Sequence, residues 1–358
     1  MTPGPSGSSP ARDPLSGLRP WISQIEPYVP GKPAEGDAGS LASNESPFGP
    51  SPTVHEAVLG TLARLHRYPD PLADELRRVL GRDLDVNPEC ILVGNGSDEL
   101  LYLLSLAFAS GGSVVCADPP YRLDELVARV VGATPVKVPL VEWRHDLDSM
   151  AAIEADVAII CNPHNPTGTA VVRASLEDFL DRRRAKVVVV DEAYVEFMDN
   201  PQMASVVGLA ERGRVVVLRT LSKLFGLAGA RVGYLVASRP VVDVLRRIRP
   251  PFSVNAVAQA AAIAGLADRE HRLSVRRAAL EGRKRLTEVF ERSGYDVVPS
   301  QANFILVLAE DEIGLCSQLL RGGVSVRPGS TLGIPGAIRV SVPSDDGFLL
   351  LEQALRTS

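Results

Sequence analysis

The 358-residue sequence is poor in lysine, cysteine, histidine and aromatic residues, and these shortages exclude several classes of protein. Its four cysteines are scattered, without the paired spacing of a zinc site, a redox motif or a disulfide framework. Its five histidines show no ligand spacing, so we expect no metal centre. The longest apolar stretch, residues 100–109, falls well short of the roughly 18 residues that cross a bilayer, and no signal peptide precedes it. We therefore expect a cytoplasmic protein without membrane contact.

The sequence also lacks an excess of positive charge. The net charge is −5 and the pI is about 5.7, so we expect no nucleic-acid partner. Because 45% of the residues are hydrophobic, the chain can bury one large core or two smaller ones. Residues 1–18, rich in Pro, Gly and Ser, are predicted to form a flexible tail.

Short apolar, β-branched runs alternate with helical patterns through the middle of the chain, which predicts an α/β fold with a mostly parallel sheet covered on both faces. The predicted strands are residues 91–93, 114–117, 157–161, 187–190, 215–218 and 232–236. After residue 250 the pattern changes to two long helices and short strands, which indicates a second, smaller α+β domain. We assign residues 19–40 to an N-terminal arm packing on the small domain, 41–250 to the large domain and 251–358 to the small domain.

Among the few lysines, Lys223 is the candidate for covalent chemistry. It follows the predicted strand 215–218 and precedes a loop containing Gly226, Gly229 and Arg231. An amine at the end of a strand can attack a carbonyl to form a Schiff base, whereas arginine, which supplies 33 of the 38 basic residues, cannot. Most lysines are solvated surface groups, so Lys223 alone is weak evidence.

An acidic residue ends another predicted strand, 32 positions before Lys223. Asp191 follows the valines of residues 187–190, and ligands of parallel sheets collect at such strand ends. A carboxylate there can pair with a protonated pyridine nitrogen and let the ring accept electrons. The alternative is that Asp191 only caps the next helix.

Two loops upstream also follow predicted strands. In residues 161–168 (CNPHNPTG), two prolines restrict the backbone and orient the Asn165 amide, which suits a phenolate oxygen. In residues 94–99 (GNGSDE), glycines precede a helix start that exposes backbone N–H groups, which suits a phosphate. Ser97 could equally be a simple N-cap.

Taken in order, these motifs resemble those of the fold-type I pyridoxal-phosphate aminotransferases. The matching segments are residues 165–168 (NPTG), 191–194 (DEAY), 222–223 (SK) and 231–234 (RVGY). Within that family the chain is most similar to the histidinol-phosphate aminotransferase branch. The segments that point there are residues 41–45 (LASNE), 67–69 (RYP) and 301–304 (QANF). The resemblance implies a three-layer domain around a seven-stranded, mostly parallel sheet.

The resemblance also implies a role for individual residues toward pyridoxal 5'-phosphate. Lys223 would be the Schiff-base lysine, and Asp191 would pair with the pyridine nitrogen. Tyr194 and Asn165 would contact the phenolate oxygen, and Tyr121 would stack on the ring. The phosphate would be held by Gly96, Ser97, Asp98, Ser222 and Arg231, with Tyr68 reaching the phosphate of a neighbouring subunit. This last contact implies a homodimer with shared active sites.

The substrate is less clearly indicated. The resemblance implies that Arg339 binds the substrate α-carboxylate and that Asn44 lies at the substrate, and a phosphate-bearing substrate would need a further cation, for which Arg327 is the candidate. We expect transfer from histidinol phosphate to a 2-oxo acid such as 2-oxoglutarate. Departures from the branch pattern at Ser46 and His164 keep open an aromatic or specialised biosynthetic aminotransferase. A decarboxylase of the phosphothreonine type could use the same residues.

Overall fold

The computed structural model describes residues 14–27 and 31–356, so residues 1–13 of the predicted tail lie outside the described residues. A seven-stranded sheet forms the centre of the larger part. Its strands are β1 (Ile91–Gly94), β2 (Ser113–Asp118), β3 (Thr134–Pro139), β4 (Val157–Cys161), β5 (Val187–Asp191), β6 (Val216–Thr220) and β7 (Gly233–Val236). Their spatial order is β1-β7-β6-β5-β4-β2-β3.

The sheet is mostly parallel, as the sequence predicts, with one exception. Strand β7 runs antiparallel to both of its neighbours, β1 and β6. Consequently the end of β6 and the start of β7 lie at the same edge of the sheet, together with the ends of β5, β4 and β2. The sequence did not indicate β3. This strand pairs in parallel with β2 and is the outermost strand on the side of the sheet away from β1.

Alternate residues of the central strands pack into two separate apolar cores, one on each face of the sheet. On β5, Val188 and Val190 belong to one core, and Val189 belongs to the other. Because both faces of each central strand are buried, the sequence of these strands is a continuous run of apolar residues, mostly valine and isoleucine.

Helices cover both faces of this sheet and so complete the three-layer α/β architecture. On one face lie α3 (Gly96–Phe108), α4 (Arg122–Val130) and α8 (Arg239–Ile248). On the other lie α1 (Pro52–Leu62), α2 (Asp74–Leu84), α5 (Leu147–Ala152), α6 (Arg173–Arg182), α7 (Val207–Ala210) and α9 (Ala256–Ala267). The predicted boundary near residue 250 stays a prediction, and α9, which follows it, packs mainly against α1 and α2.

A second, antiparallel sheet lies in the C-terminal part. Its strands are β8 (Asp296–Val298), β9 (Phe304–Leu308), β10 (Arg327–Pro328) and β11 (Ala337–Ser341), in the order β10-β11-β9-β8. The helices α10 (Arg269–Arg292), α11 (Glu312–Arg321) and α12 (Asp345–Arg356) bury a separate apolar core against it.

The N-terminal segment contacts both parts of the molecule. Trp21 donates a hydrogen bond from its indole nitrogen to the Val130 carbonyl at 3.3 Å, at the end of α4. Further along, Ser40 forms a β-bridge with Ser325, and Leu41 joins the core of the smaller sheet. The segment thus spans the two parts of the chain along one side of the cavity that lies between them. No helix within residues 14–27 and 31–356 is long and apolar enough to cross a membrane.

Candidate active site

A cavity of about 1090 Å³ opens between the carboxyl edge of the large sheet and the smaller sheet. Most of the residues predicted from the sequence line it, although they come from distant segments of the chain. These are Asn44, Ser97, Asp98, Tyr121, Asn165, Asp191, Tyr194, Ser222, Lys223, Arg231, Arg327 and Arg339. Gly96 is buried beside Arg231, whereas Tyr68 does not contribute to the described cavity wall.

Lys223 lies three residues beyond the end of β6 and its amine points into the cavity. The Nζ atom is 3.3 Å from the Ser43 carbonyl oxygen and 5.7 Å from the centre of the Tyr194 ring. Burial, followed by the positive charge of Arg339, lowers the pKa of Lys223 from 10.5 to about 8. Its neutral, nucleophilic form is therefore much more populated near neutral pH than that of a surface lysine.

Asp191 is the last residue of β5 and only 4% exposed. Its Oδ1 atom accepts a hydrogen bond from the Ala193 N–H at 3.0 Å, so it satisfies a backbone group in the turn that follows. Burial raises the pKa of Asp191 to about 7, and the charge of Lys223 acts in the opposite direction. A cationic partner inside the cavity would favour the carboxylate form of Asp191. The next helical turn, Val195–Phe197, has Tyr194 as its N-cap and no side-chain cap, so the helix-cap alternative for Asp191 is wrong. Its position in the cavity wall leaves Asp191 available to a ligand.

Two side-chain amides meet at the hydroxyl group of Tyr194. The side-chain amides of Asn44 and Asn165 lie at 3.1 and 3.3 Å from it and donate to its oxygen. Arg339 in turn donates to Asn165 Oδ1 at 2.6 Å and to the Ala42 carbonyl. These donors are buried in the cavity wall, where they could stabilise an oxyanion of a bound molecule.

Asn44 is fixed by the smaller sheet. Its N–H donates to the Ser341 hydroxyl at 2.9 Å, and its carbonyl accepts from the Asn303 amide at 3.2 Å. The residue adopts a left-handed backbone with φ of 55°, which asparagine tolerates better than most residues. Residues 341 and 303 therefore set the direction in which the Asn44 side chain reaches Tyr194.

At the opposite end of the cavity, the first turn of α3 and Arg231 form a cradle that could hold an anion. The start of α3 directs backbone N–H groups and a positive dipole end toward the cavity. Gly96 has φ of 75°, and a Cβ atom there would lie 2.7 Å from the Arg231 guanidinium. Arg231, also left-handed with φ of 56°, contacts Asp98 at 3.2 Å. On the far side, the Ser222 hydroxyl accepts from Thr220 at 2.9 Å.

Arg327 and Arg339 are direct register partners on the adjacent strands β10 and β11. They are 4% and 6% exposed, and both line the cavity. Two guanidinium groups on adjacent strands give this part of the cavity wall positive charge, which suits an anionic group of a ligand such as a phosphate or a carboxylate.

Tyr68 lies outside the cavity on the surface. It is 82% exposed, and its ring stacks on Phe252 with 4.5 Å between the ring centres. The structure therefore does not bring Tyr68 to the other predicted residues within one chain.

A buried acid that the sequence does not indicate, Asp124, lies near Asp191. Asp124, in the first turn of α4, is 2% exposed, and its Oδ1 has no hydrogen-bond partner among the described residues. Burial and the negative charge of Asp191 raise the pKa of Asp124 well above its usual range. The available signal was an acid three residues after Tyr121, which is also an ordinary helix-start pattern.

The cavity as a whole fits a phosphorylated aromatic aldehyde. It combines an amine for the aldehyde carbon, a cradle for the phosphate, a carboxylate for a ring nitrogen and donors for a phenolate. The separation of these groups among different strand ends leaves room for a flat ring between them.

Comparisons with known proteins agree with this geometry. The family model of class I and II aminotransferases matches residues 38–347. The chain is 40% identical to the histidinol-phosphate aminotransferase of Moorella thermoacetica, over 90% of this chain and 88% of that one. It is 41% identical to the aromatic amino acid aminotransferase of Thermobifida fusca, over 93% and 95% of the two chains. The crystal structure of the Sinorhizobium meliloti histidinol-phosphate aminotransferase with pyridoxal-5'-phosphate superposes with a TM-score of 0.86, at 27% identity, over 98% of this chain and all of that one.

Proposed function

The chain belongs to the class I and II aminotransferases, and we propose that within this family it transfers the amino group of histidinol phosphate to a 2-oxo acid such as 2-oxoglutarate. The enzyme is a pyridoxal-phosphate-dependent aminotransferase. The observation that carries the choice of donor is the pair of buried arginines, Arg327 and Arg339, in the cavity wall. Relatives named as histidinol-phosphate aminotransferases at about 40% identity support it.

Each part of the cavity has a proposed role toward the cofactor. Lys223 would hold the aldehyde carbon and Asp191 the ring nitrogen, while Asn165 and Tyr194 would donate to the phenolate oxygen. Tyr121 would cover one ring face. The phosphate would be held by the first turn of α3 with Gly96, Ser97 and Asp98, and by Ser222 and Arg231. When bound, pyridoxal phosphate supplies an electron-accepting ring that stabilises negative charge at the substrate Cα.

Lys223 is proposed to move the protons of the reaction. Because its pKa is lowered to about 8, its amine is available as a base that takes the proton from the substrate Cα. The resulting ammonium group would donate to the Ser43 carbonyl oxygen, which lies 3.3 Å from Nζ, and from this position Lys223 could return the proton later in the reaction. Histidinol phosphate carries a phosphate and no carboxylate, so Arg327 would hold that phosphate and orient the Cα–H bond toward Lys223, while Arg339 would hold the α-carboxylate of the 2-oxo acid.

An aromatic amino acid is the second candidate donor. The Thermobifida fusca relative carries that name, and the cavity includes the apolar side chains of Leu123, Leu126 and Leu332. An aromatic donor would bring a carboxylate for Arg339 and an apolar ring for the leucines, and would leave Arg327 for the carboxylate of the oxo acid. A decarboxylase of the phosphothreonine type would use the same lysine and would release carbon dioxide.

We also propose that the working enzyme is a homodimer whose active sites are shared. The support is a group of large apolar side chains exposed on and after α1, comprising Leu59, Leu62, Leu65, Tyr68 and Leu72, with Phe252 beside Tyr68. Such a group on a monomer is typical of a subunit interface. In a dimer, Tyr68 could then reach the neighbouring phosphate. A cytoplasmic location stays a prediction.

A half-reaction panel tests the proposed donor. The purified holoenzyme is mixed separately with histidinol phosphate, phenylalanine, tyrosine, leucine and phosphothreonine, and the visible absorbance of the cofactor is followed. We expect histidinol phosphate to bleach the absorbance at the lowest concentration. Faster bleaching by phenylalanine or tyrosine would favour the aromatic alternative, and carbon dioxide release from phosphothreonine would favour the decarboxylase. The Lys223→Ala variant should show no multiple turnover with any of them.

A further inference from the structure

A buried ion pair lies directly behind the floor of the cavity. Arg219 donates to Glu192 Oε2 from Nε at 3.0 Å and from a terminal nitrogen at 2.7 Å. Glu192 is 1% exposed and Arg219 is 9% exposed. Neither residue lines the cavity, so the pair has no direct contact with a bound ligand.

The ion pair links β5, which ends at Asp191, to β6, which precedes Lys223. Asp191 and Leu218 are register partners on β5 and β6, so the next residues along, Glu192 and Arg219, also lie side by side. Side chains alternate between the two faces of a strand. Asp191 and Thr220 therefore face the cavity, while their neighbours Glu192 and Arg219 face away and meet each other behind it.

The carboxylate of Glu192 is fully held in place. Its Oε1 accepts from the Val206 N–H at 2.7 Å, and its Oε2 also accepts from the Ser205 hydroxyl at 2.9 Å. The Glu192 N–H donates to the Leu218 carbonyl at 2.9 Å. A network satisfied to this degree in a buried place holds its backbone more firmly than strand pairing alone.

The pair also balances charge beneath the site. Among the charged neighbours of Asp191, Glu192 raises the pKa of Asp191, in addition to the larger effect of burial. The guanidinium of Arg219 contacts the Glu192 carboxylate directly and compensates its negative charge. Other titratable groups face the pair or Asp191: Glu196 and Tyr234 on the side of Arg219, and Asp98, Lys223, Asp124, Tyr121 and Cys161 around Asp191.

We propose that Arg219 is a positioning residue, which through Glu192 fixes Asp191 relative to Lys223 and prevents the charge of Glu192 from acting on the cofactor. This inference rests on the proposed roles of Asp191 and Lys223. It differs from a purely structural role, because it requires that loss of either charge changes the electrostatics of the bound cofactor as well as the stability of the fold.

The experiment compares the wild-type holoenzyme with Arg219→Met, Glu192→Gln and the double variant. The pH midpoint of the visible absorbance of the cofactor bound through Lys223 is measured, together with the melting temperature. The titrating group in this measurement is the nitrogen through which Lys223 binds the cofactor. An unpaired negative charge on Glu192 favours the protonated form of that nitrogen, so Arg219→Met should raise the midpoint by about one pH unit. Glu192→Gln leaves an unpaired cation and should lower the midpoint. The double variant restores the balance of charge and should return it toward the wild-type value.

The outcomes separate this inference from the proposed function. A wild-type protein that shows no visible band with pyridoxal phosphate would overturn both. A wild-type band with the same midpoint in all variants, accompanied only by lower melting temperatures, would overturn the role of Arg219 and leave the proposed function intact. Arg219→Met leaves a buried carboxylate unpaired, which can prevent the variant from folding. In that case the pH midpoint of Glu192→Gln alone tests the inference. Its amide can still accept from Arg219, and an unchanged midpoint in that variant overturns the inference.

Discussion

Arg339 donates a hydrogen bond of 2.6 Å to the side-chain oxygen of Asn165, which joins the smaller sheet to the turn that follows β4. This bond commits the amide oxygen of Asn165 to Arg339 and leaves its NH2 group to face Tyr194. The proposed substrate-binding arginine and the proposed cofactor-binding asparagine therefore form one unit. A change at Arg339 should affect the cofactor as well as the substrate.

Arg327 and Arg339 should differ in the anion that they recognise. In Arg339→Ala we expect KM for the 2-oxo acid to rise about 30-fold, the equivalent of about 2 kcal/mol for loss of a buried charged contact, with a shifted cofactor spectrum. In Arg327→Ala we expect a similar rise in KM for histidinol phosphate and an unchanged spectrum. Steady-state kinetics with each substrate varied in turn measures both. Equal effects of the two variants on both substrates would contradict separate roles.

Gly96→Ala should weaken cofactor binding. The new Cβ would lie 2.7 Å from the Arg231 guanidinium, at a residue with φ of 75°, so both the backbone and Arg231 must move. We expect the Kd for pyridoxal phosphate, measured by absorbance titration of the apoenzyme, to rise about tenfold or more, from a strain of at least about 1.4 kcal/mol. Gly229→Ala is the matched control, because a Cβ there meets no atom within 4 Å. Equal Kd values for the two variants would argue against the cradle.

Asp191→Asn should stabilise the apoenzyme at neutral pH while it impairs cofactor chemistry. Burial raises the pKa of Asp191 from 3.8 to about 7, so the folded state holds a proton that the unfolded state releases between these values. The stability that this proton contributes is present below about pH 4 and is lost as the pH rises through 7. Asparagine does not titrate, so the melting temperature of apo Asp191→Asn should gain on the wild type from pH 4 to pH 8. A difference that does not change with pH would contradict the raised pKa.

Tyr68→Phe tests the shared active site. If the hydroxyl binds the phosphate of the neighbouring subunit, its removal should raise the Kd for pyridoxal phosphate about tenfold, in line with about 1.5 kcal/mol for one hydrogen bond to a charged group. Sedimentation should still show a dimer. Leu349→Ala, at an exposed position on α12 outside the cavity wall, serves as the control and should leave the Kd unchanged. A fully active monomer would contradict the shared-site proposal.

Most of the large sheet could be predicted from the sequence, because buried parallel strands leave uninterrupted apolar runs. The predicted run at residues 187–190 corresponds to β5, and the run at 157–161 corresponds to β4. Strand β3 was missed because Pro135, Lys137 and Pro139 interrupt its pattern. An edge strand tolerates such residues, since one side of it forms no ladder.

The candidate site also contains residues that the sequence predicts and residues that it does not. Lys223, Asp191 and Asn165 stand at strand ends, which a one-dimensional pattern can locate. The contact of Arg219 with Glu192 depends on the register of β5 against β6, and the burial of Asp124 depends on how α4 packs. No local sequence pattern predicts either relationship, because Arg219, Glu192 and Asp124 are indistinguishable in the sequence from ordinary charged surface residues.

The reversed direction of β7 restricts how this enzyme can be redesigned. The connection from Thr220 to Gly233 leaves and re-enters the sheet on one rim, and it carries both Lys223 and Arg231. Any residue inserted between these two would displace the amine or the guanidinium, whereas extra residues in the turns at the opposite rim would disturb neither. Changes in loop length should therefore be tolerated on one rim of the sheet and selected against on the other.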